Sequence, residues 1–218
     1  MAEGRLPPMP LPELQPRDLV LIRHGETEWS LAGRHTGRTD LPLTARGEAV
    51  AAGLAPVLAG TEFGQVLCSP LQRARRTAAL AGFAEPRLDA DLMEWNYGAY
   101  EGITTAEIRR QQPDWEVFSH GCPEGESPGE VAARVDGVIA RLQEGEGPSL
   151  VVAHGHVLRM LLVRWLALPA AEGRHFLLDT ATLSVLSHVR GDPVLKCWNA
   201  PLPQEAPATA SAAAPSAA

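Results

Sequence analysis

Two short apolar runs, each closed by a histidine and a glycine, constrain the fold of this chain more than any other feature. The first extends from Asp18 to Gly25 and the second from Ser149 to Gly155. Continuous apolar runs of this length are typical of strands that are buried on both faces, as in parallel sheets. Each run is followed by a segment with apolar residues at helical spacing, so the chain is expected to contain repeated β-then-α units.

The remaining segments predict how these units are completed. A third strand is expected over residues 65–69, helices over 44–59, 73–81, 101–112, 128–143 and 157–168, and a β-hairpin from strands 182–189 and 193–198. Thr44 is expected to cap its helix, and Ser127 with Glu130 forms a capping-box pattern at the start of helix 128–143. The fold class that follows is α/β, with a three-layer α/β/α arrangement around a mostly parallel central sheet.

Composition predicts one folded domain between two tails. Hydrophobic residues make up 45% and charged residues 21% of the 218, close to the average for soluble domains. Residues 1–16 are rich in proline and residues 200–218 in alanine and proline, so both are expected to be disordered tails around a domain at 17–199. No run approaches the ~20 apolar residues of a membrane span, and the first residues lack a secretory pattern, so a cytoplasmic protein is expected.

Charge and cysteine content exclude several classes of partner and cofactor. A net charge of -7 argues against attraction to nucleic acid or to an anionic membrane. Three widely spaced cysteines indicate neither a disulfide framework nor a structural zinc site. Of the 19 basic residues only Lys196 is a lysine, which excludes a P-loop. Arginines suit bidentate binding of phosphate or carboxylate, although biased codon usage would explain their excess equally well.

Candidate functional residues stand where three of the predicted strands end. Arg23 and His24 follow the first strand, Arg73 follows the strand at 65–69, and His154 with His156 follows the strand that begins at Ser149. The carboxyl ends of parallel strands meet at one edge of a sheet, and ligands bind there in such folds. Arginines, histidines and the backbone N–H groups of helix starts would make this edge a phosphate site.

Five motifs extend this pattern along the chain. They are Leu21-Ile-Arg-His-Gly-Glu-Thr27, Thr36-Gly-x-x-Asp-x-x-Leu-Thr44, Ser69-Pro-Leu-Gln-Arg-Ala-x-x-Thr-Ala78, Leu92-x-Glu-x-x-Tyr-Gly-x-x-Glu-Gly102 and Ala153-His-Gly155. Together, and in this order, they resemble the histidine phosphatase superfamily, which includes the phosphoglycerate mutases. The resemblance covers about residues 19–189 and implies a phosphoglycerate mutase-like form of the α/β/α fold.

The resemblance implies a role for each residue at the strand ends. His24 matches the nucleophile that forms a phosphohistidine, while its other ring nitrogen donates a proton to a nearby backbone carbonyl. Arg23 and Arg73 match the arginines that bind the phosphoryl oxygens. His154 matches a second histidine that donates to the same oxygens. These roles require no metal and no organic cofactor.

Glu94 matches the general acid, which protonates the leaving oxygen and then deprotonates the attacking water. Carboxylates are ionised at neutral pH, so this role predicts either surroundings that keep a proton on Glu94 or an enzyme that prefers acidic medium. Four neighbouring carboxylates could share or take the role, and these are Glu85, Asp89, Asp91 and Glu101.

Further substrate-binding residues follow from the same resemblance. Besides Arg23 and Arg73, they are Ser30, Thr36, Gly37, Tyr97, Gly155, His156 and Arg159. Mutases often have asparagine at the positions of Ser30 and His156, and the double-arginine segment with which they bind a carboxylate is not evident between residues 101 and 122. Arg109 and Arg110 are adjacent but are interpreted as a solvated helix face. These departures favour a phosphatase over a mutase.

The sequence therefore predicts a metal-independent phosphatase that hydrolyses phosphomonoesters of small sugars or sugar acids, sugar bisphosphates included, through a phosphohistidine. Within the superfamily its segments look most like phosphatases of the sedoheptulose-1,7-bisphosphatase type and a mycobacterial acid phosphatase. Three alternatives stay open: a 2,3-bisphosphoglycerate-dependent phosphoglycerate mutase, a zinc phosphatase that uses His154 and His156, and a non-catalytic phosphate-binding scaffold. The expected partner is a small phosphorylated metabolite, and an exposed sheet edge would allow a homodimer.

Overall fold

The computed structural model describes residues 11–202, in which one central sheet has helices on both sides. The strands in this range are β1 (Leu19–Arg23), β2 (Gln65–Cys68), β3 (Arg87–Leu88), β4 (Ser149–Ala153), β5 (Leu183–Val189) and β6 (Asp192–Ala200). The helices are α1 (Glu28–Leu31), α2 (Ala45–Ala52), α3 (Leu54–Leu58), α4 (Gln72–Leu80), α5 (Thr105–Arg109), α6 (Val117–His120), α7 (Pro128–Gln143) and α8 (Gly155–Trp165). Short 3₁₀ helices span Ala90–Leu92, Gly98–Tyr100 and Ala170–His175.

The sheet has the strand order β3-β2-β4-β1-β5-β6. Strands β1 to β4 are mutually parallel, whereas β5 is antiparallel to both of its neighbours, β1 and β6. The predicted mostly parallel sheet and the predicted hairpin are therefore confirmed. Because Arg23 of β1 lies opposite Ala153 of β4, the two histidines that follow these residues leave the sheet side by side.

Alternating side chains of the central strands face two separate cores. Leu21 and Val151 belong to the core that α7 and α8 cover. Ile22 and Val152 belong to the core that α3 and α4 cover. Successive residues of a strand point to opposite faces, so a strand that is apolar throughout requires a layer of helices on each side. The three-layer α/β/α arrangement is confirmed. Within residues 11–202, none of the helices is long and apolar enough to cross a membrane.

The helix expected over 44–59 is divided into two. Thr44 caps α2 as predicted, since its side chain accepts from the backbone N–H of Gly47 at 2.9 Å. The helix is interrupted at Gly53, and α3 continues from there. Pro56 has no N–H to donate to the preceding turn, so an uninterrupted helix would lack a hydrogen bond at this point.

The helix expected over 101–112 is reduced to α5. Gly102 has a φ of 78°, which is outside the helical region. The start of α5 is set by Thr104, which forms a capping box with Glu107 that the sequence analysis did not identify. In α7, by contrast, the bounds and the capping box are as predicted.

The two ends of the folded part extend beyond the expected domain boundaries. Leu11 and Leu14 pack against the core that α3 and α4 cover, and Leu202 packs against the same core. β6 continues to Ala200. Parts of residues 11–16 and 200–202, which were assigned to disordered tails from their composition, therefore lie against the folded domain through these three leucines. The other residues of the two expected tails, 1–10 and 203–218, lie outside the described part of the chain.

Candidate active site

His24 follows β1 directly and is buried, with 4% of its surface exposed. Its Nδ1 atom lies 2.7 Å from the carbonyl oxygen of Gly25, which can only accept, so Nδ1 carries the proton and donates. Burial, followed by the charges of Arg73 and Arg23, lowers the pKa of His24 well below its ordinary value. The ring is therefore neutral with an unprotonated Nε2, the form that a nucleophile needs.

Gly25, which orients the nucleophile, is itself held by α4. Its backbone N–H donates to Thr77 Oγ1 at 2.9 Å, and that hydroxyl donates to the carbonyl oxygen of Arg73 at 2.7 Å. A side chain at position 25 would meet the carbonyl oxygen of Gly47 at 2.7 Å, so only glycine allows this approach of α2. Thr77 thus connects the orientation of His24 to the helix that carries Arg73.

Arg73 is fully buried at the start of α4, and most of its donors are bonded to protein atoms. Nη2 donates to the carbonyl oxygens of Thr36 and Gly37, and Nη1 to that of Thr39, each at 3.0 Å. Nε donates to Nδ1 of His154 at 3.1 Å. Four of the five guanidinium N–H groups are thereby used, so Arg73 supplies fixed positive charge and one N–H to a ligand.

His154 follows β4, and its ring centroid lies 5.1 Å from that of His24. Because Nδ1 accepts from Arg73, the proton of the neutral ring is on Nε2, which lies 2.7 Å from Ser69 Oγ. Burial, then the charge of Arg73, lowers the pKa of His154 well below its ordinary value. Both ring nitrogens therefore have protein partners, and donation to a substrate oxygen would replace the bond to Ser69.

Arg23 differs from Arg73 because its buried Nε has no hydrogen-bond partner among the described residues. Nη1 donates to the carbonyl oxygen of Leu178. Gly155 lies against this guanidinium, since a Cβ at that position would be 3.4 Å from Arg23 Nε and 3.7 Å from Glu94 Oε2. A buried donor without a partner is rare and costly, so this atom marks a place where a bound anion is expected.

Glu94 follows the 3₁₀ helix at 90–92 and is 5% exposed. Its Oε1 accepts from the backbone N–H groups of Trp95 and Val157 at 2.9 Å, and its Oε2 accepts from that of His156 at 3.0 Å. His156 and Val157 lie in the first turn of α8, whose positive end favours a negative charge. The three bonds fix both oxygens of the Glu94 carboxylate at the start of α8.

Three of the other four carboxylates near Glu94 in sequence lie away from the start of α8. Asp89 and Asp91 each place an oxygen 2.8 Å from Arg141 Nη2. Glu85 is exposed. Glu94 is therefore the carboxylate that the fold brings to the start of α8.

Glu101, the fourth, holds the loop that surrounds Arg73. Its Oε1 accepts from the backbone N–H groups of Gly37 at 2.9 Å and Thr39 at 3.1 Å. The carbonyl oxygens of Thr36 and Gly37 accept from Arg73, and the Gly37 N–H donates to Glu101, while their predicted contact with substrate stays a prediction. The loop at 36–39 thus positions Arg73, and Glu101 holds this loop in place. The motif that contains Glu101 did not reveal this role.

Tyr97, His156 and Arg159 line the space beyond Glu94. The Tyr97 hydroxyl is hydrogen-bonded to Nδ1 of His156. Burial raises the pKa of Tyr97 well above its ordinary value, and burial followed by the charge of Arg159 lowers that of His156, so the hydroxyl donates to a neutral ring. Arg159 donates from Nε and Nη2 to the carbonyl oxygen of Gly173 and lies 4.6 Å over the ring of Phe118.

His35 belongs to the same wall and was missed by the sequence analysis. It is 8% exposed, and its ring centroid lies 4.7 Å from that of Tyr97 and 5.9 Å from that of His156. Burial lowers the pKa of His35 to about 4. A single histidine in a polar segment has no distinguishing pattern, so only the folded arrangement identifies it.

The Ser30 side chain and the zinc alternative can both be compared with the structure. Ser30 Oγ accepts from the N–H of Thr27 and donates to its carbonyl oxygen, both at 2.9 Å, so this hydroxyl caps α1. Its contact with substrate stays a prediction. For the zinc alternative, no three His, Cys, Asp or Glu side chains within residues 11–202 come together as a metal site. His154 and His156 instead have the hydrogen-bond partners described above.

A neutral, oriented histidine beside the buried Arg73 and the partly buried Arg23 can form and break a bond to phosphorus as well as bind an anion. This arrangement places the protein among α/β enzymes of phosphoryl transfer. Comparison with known families makes the assignment specific. The chain belongs to the histidine phosphatase superfamily (branch 1), whose family model matches residues 19–201.

Individual relatives agree with this assignment. The acid phosphatase of Mycobacterium tuberculosis is 43% identical over 177 residues, which cover 79% of this chain and 87% of the relative. Sedoheptulose 1,7-bisphosphatase of Saccharomyces cerevisiae is 35% identical over 192 residues, 72% of this chain and 70% of the relative. A solved structure of an open-reading-frame product from Mycobacterium tuberculosis superposes with a TM-score of 0.81 at 41% identity, covering 84% of this chain and 97% of that one. The predicted family and its phosphoglycerate mutase-like fold are confirmed.

Proposed function

We propose that this protein is a metal-independent phosphatase that hydrolyses phosphomonoesters of small sugars or sugar acids through a phosphohistidine at His24. The observation that carries the proposal is the 2.7 Å bond from His24 Nδ1 to the Gly25 carbonyl, which fixes an unprotonated Nε2 beside Arg23 and Arg73. A metal is not required to generate the nucleophile, because the ring is neutral without one.

In the first step, His24 Nε2 attacks phosphorus. A bond from nitrogen to phosphorus forms, the ester P–O bond breaks, and Glu94 gives its proton to the leaving oxygen. The unpartnered Nε of Arg23 and the fixed charge of Arg73 stabilise the negative charge on the phosphoryl oxygens during transfer.

In the second step, water attacks the phosphohistidine. Glu94, now ionised, takes a proton from this water, a P–O bond forms, and the P–N bond breaks, which releases phosphate and restores His24. The three backbone N–H groups around Glu94 suit it to this role as a base.

At the end of the second step Glu94 carries the proton taken from the attacking water, and where it releases this proton to solvent, the next substrate has to supply one. A phosphomonoester loses its second proton near pH 6. In mildly acidic medium the ester therefore arrives as a monoanion, whose proton passes to the Glu94 carboxylate on binding. His24 stays neutral there because its pKa is well below its ordinary value. The proposal thus includes a preference for acidic medium.

Phosphate release tests this proposal. Wild type and His24→Ala are assayed in the presence of chelator on sugar bisphosphates, sugar monophosphates, phosphoglycerates and p-nitrophenyl phosphate. His120→Ala is the matched control, since His120 is exposed on α6, outside the residues assigned to the reaction. We expect release by wild type and the control, none by His24→Ala, and an acid-labile phosphoryl group on wild type after rapid quenching.

Other results would point to the alternatives. Equal release by His24→Ala would refute the nucleophile, and loss of activity with chelator would favour a metal phosphatase. A phosphoenzyme that passes its phosphoryl group to phosphoglycerate and not to water would identify a mutase. Binding of phosphate esters without any turnover would favour the scaffold.

A further inference from the structure

The segment that carries Glu94 has no regular secondary structure of its own. It follows the 3₁₀ helix at 90–92, and residues 93–97 lie in neither a helix nor a strand. The backbone groups of a buried loop need hydrogen-bond partners outside the loop, which is why most loops run over the surface. Here Glu94 is 5% exposed and Trp95 is fully buried. The position of Glu94 therefore depends on the partners that other elements supply to this segment.

Arg134, on α7, holds the backbone on the amino-terminal side of Glu94. Its Nη1 donates to the carbonyl oxygen of Asp91 at 2.6 Å and to that of Met93 at 2.8 Å. The side chain of Arg134 is only 13% exposed, so water competes little for these bonds. One nitrogen of the guanidinium thus binds two carbonyl groups within the three residues that precede Glu94.

Glu126, in the loop before α7, holds the two residues on the carboxyl-terminal side of Glu94. Its Oε2 accepts from the backbone N–H of Asn96 at 2.7 Å, and its own backbone N–H donates to the Asn96 carbonyl oxygen at 2.8 Å. Its carbonyl oxygen accepts from Trp95 Nε1 at 2.8 Å. Glu126 therefore binds the segment through its side chain, its N–H and its carbonyl group.

Arg134 and Glu126 are also joined to each other. Nε of Arg134 donates to Glu126 Oε1 at 2.8 Å, and Nη2 donates to Oε2 at 3.1 Å. Bidentate contacts of this kind are charge-assisted and fix how the two planar groups face each other. Arg38 approaches the same carboxylate only to 3.9 Å and its side chain is 42% exposed, so Arg134 is the partner that orients Glu126. The Glu126–Arg134 pair thus connects both sides of Glu94.

A second bidentate pair on α7 shows what such a pair looks like without this segment. Asp136 accepts from Nε and Nη2 of Arg164, on α8, at 2.8 and 2.9 Å. These side chains are 46% and 33% exposed, and within residues 11–202 neither of them bonds to residues 91–96. The two pairs have the same chemistry and share a helix, so the bonds to the Glu94 segment are what distinguishes the Glu126–Arg134 pair.

We infer that Arg134 and Glu126 are positioning residues for Glu94 in the proposed reaction. The inference rests on the proposed function, in which Glu94 acts first as acid and then as base. The start of α8 binds the carboxylate oxygens through the N–H groups of His156 and Val157, and these bonds require a correctly placed Glu94 backbone. Without the pair, Glu94 is present but displaced, and a displacement of about 1 Å costs about 10²-fold in rate.

Kinetics on two esters separate positioning from general stabilisation. kcat/KM is measured for p-nitrophenyl phosphate and for the sugar phosphate that wild type hydrolyses fastest, with Arg134→Gln, Arg134→Lys and Glu126→Gln. Arg164→Gln is the matched control, because it breaks a bidentate pair on the same helix. A misplaced acid lowers kcat/KM mainly for the sugar ester, since nitrophenolate leaves without being protonated. A smaller folded fraction lowers both values equally.

We expect Arg134→Gln and Glu126→Gln to lower the ratio of the two kcat/KM values, sugar ester over p-nitrophenyl phosphate, by about tenfold to 10²-fold. Arg134→Lys keeps the charge without the planar fork, so it should lower the ratio less, and it serves where the glutamine variant does not fold. Arg164→Gln should keep the wild-type ratio. An unchanged ratio in the folded variants, or an equal change in Arg164→Gln, would overturn the inference.

A double substitution sharpens this test. In Glu94→Gln no acid remains to be displaced, so adding Arg134→Gln should leave the ratio as it is in Glu94→Gln alone. A further fall of the same size as in the wild-type background would show that Arg134 acts independently of Glu94.

Failure of the proposed function would be visible separately. If wild type hydrolyses neither ester, the phosphatase proposal fails, and amide hydrogen exchange decides about the pair. The Trp95 N–H donates to Glu94 Oε1 at 2.9 Å, and the N–H of Val151 in β4 serves as the reference for global unfolding. Faster exchange at Trp95 relative to Val151 in Arg134→Gln, but not in Arg164→Gln, would support the inference. An unchanged ratio of the two exchange rates would overturn it.

Discussion

Replacing Glu94 by glutamine tests the buried carboxylate at the start of α8. The carboxylate accepts three backbone N–H groups, two on Oε1 and one on Oε2. Glutamine has one oxygen and one NH₂ group. When its oxygen accepts from the N–H groups of Trp95 and Val157, its NH₂ group faces the N–H of His156. One buried donor then lacks an acceptor, which costs about 1–3 kcal/mol.

The substitution also removes a negative charge from the positive end of α8, which costs about 0.3–1 kcal/mol. We therefore expect the free energy of unfolding of Glu94→Gln to fall by about 1–4 kcal/mol in urea titrations. Glu85→Gln is the matched control and should be neutral, because Glu85 is exposed.

The same variant separates the acid role of Glu94 from its base role. General acid–base catalysis contributes about 10²–10⁴-fold, so kcat/KM for alkyl phosphates should fall by that factor. The fall should be much smaller for p-nitrophenyl phosphate, since nitrophenolate leaves without being protonated. kcat should fall for both esters, because hydrolysis of the phosphohistidine needs the base.

An equal loss of kcat/KM on alkyl and aryl esters would refute the acid role. A Glu94→Gln protein as stable as Glu85→Gln would refute the account of the three N–H donors.

Three further outcomes follow from the structure. Burial lowers the pKa of His35 to about 4, so between about pH 4 and pH 6.5 the unfolded chain binds a proton at His35 that the folded chain does not. The free energy of unfolding should therefore be unaffected above about pH 6.5 and fall by up to about 3 kcal/mol towards pH 4. Urea titrations should show a smaller fall in His35→Gln, and an identical fall would contradict this. Thr77→Val removes the acceptor of the Gly25 N–H and should cost about 1–3 kcal/mol in thermal unfolding, whereas an unchanged midpoint would argue against that bond. In Gly37→Ala the new Cβ would meet the Trp95 carbonyl oxygen at 2.4 Å, so the loop around Arg73 must shift and kcat/KM should fall. Gly129→Ala, with space around it in α7, should keep the wild-type value.

The parts of the fold that sequence predicted well are those with a strong local signal. The run from Leu19 to Arg23 forms β1, in which the four apolar residues before Arg23 are buried. α7 has its predicted bounds because Ser127 and Glu130 form a capping box and Pro128 suits the first helical position. Helix 101–112 was predicted too long because Gly102 has a positive φ and lies against the side chain of Trp29, a neighbour that sequence does not place there.

In the candidate site, too, the residues with a local sequence pattern could be predicted, whereas the contacts between distant segments could not. His24 and His154 could be placed together because both follow strands whose carboxyl ends meet. The partners of Arg73 could not be predicted, since the loop at 36–39 is distant in sequence and binds it through carbonyl oxygens that every residue type has. Arg109 was interpreted as solvated and is exposed, but its place on the wall of a cavity of about 400 Å³ next to the reaction centre depends on how α5 packs against elements far along the chain.

The reaction centre and the cavity wall are built on different parts of the chain. His24 and His154 follow strands of the sheet, whereas Arg109 and Arg174 lie on short helical segments outside it. A mutation in these segments alters the wall of the cavity and leaves the nucleophile and its supports in place. Descendants of this chain could therefore acquire new substrates by substitution in two surface segments, while selection continues to maintain one unchanged chemical step.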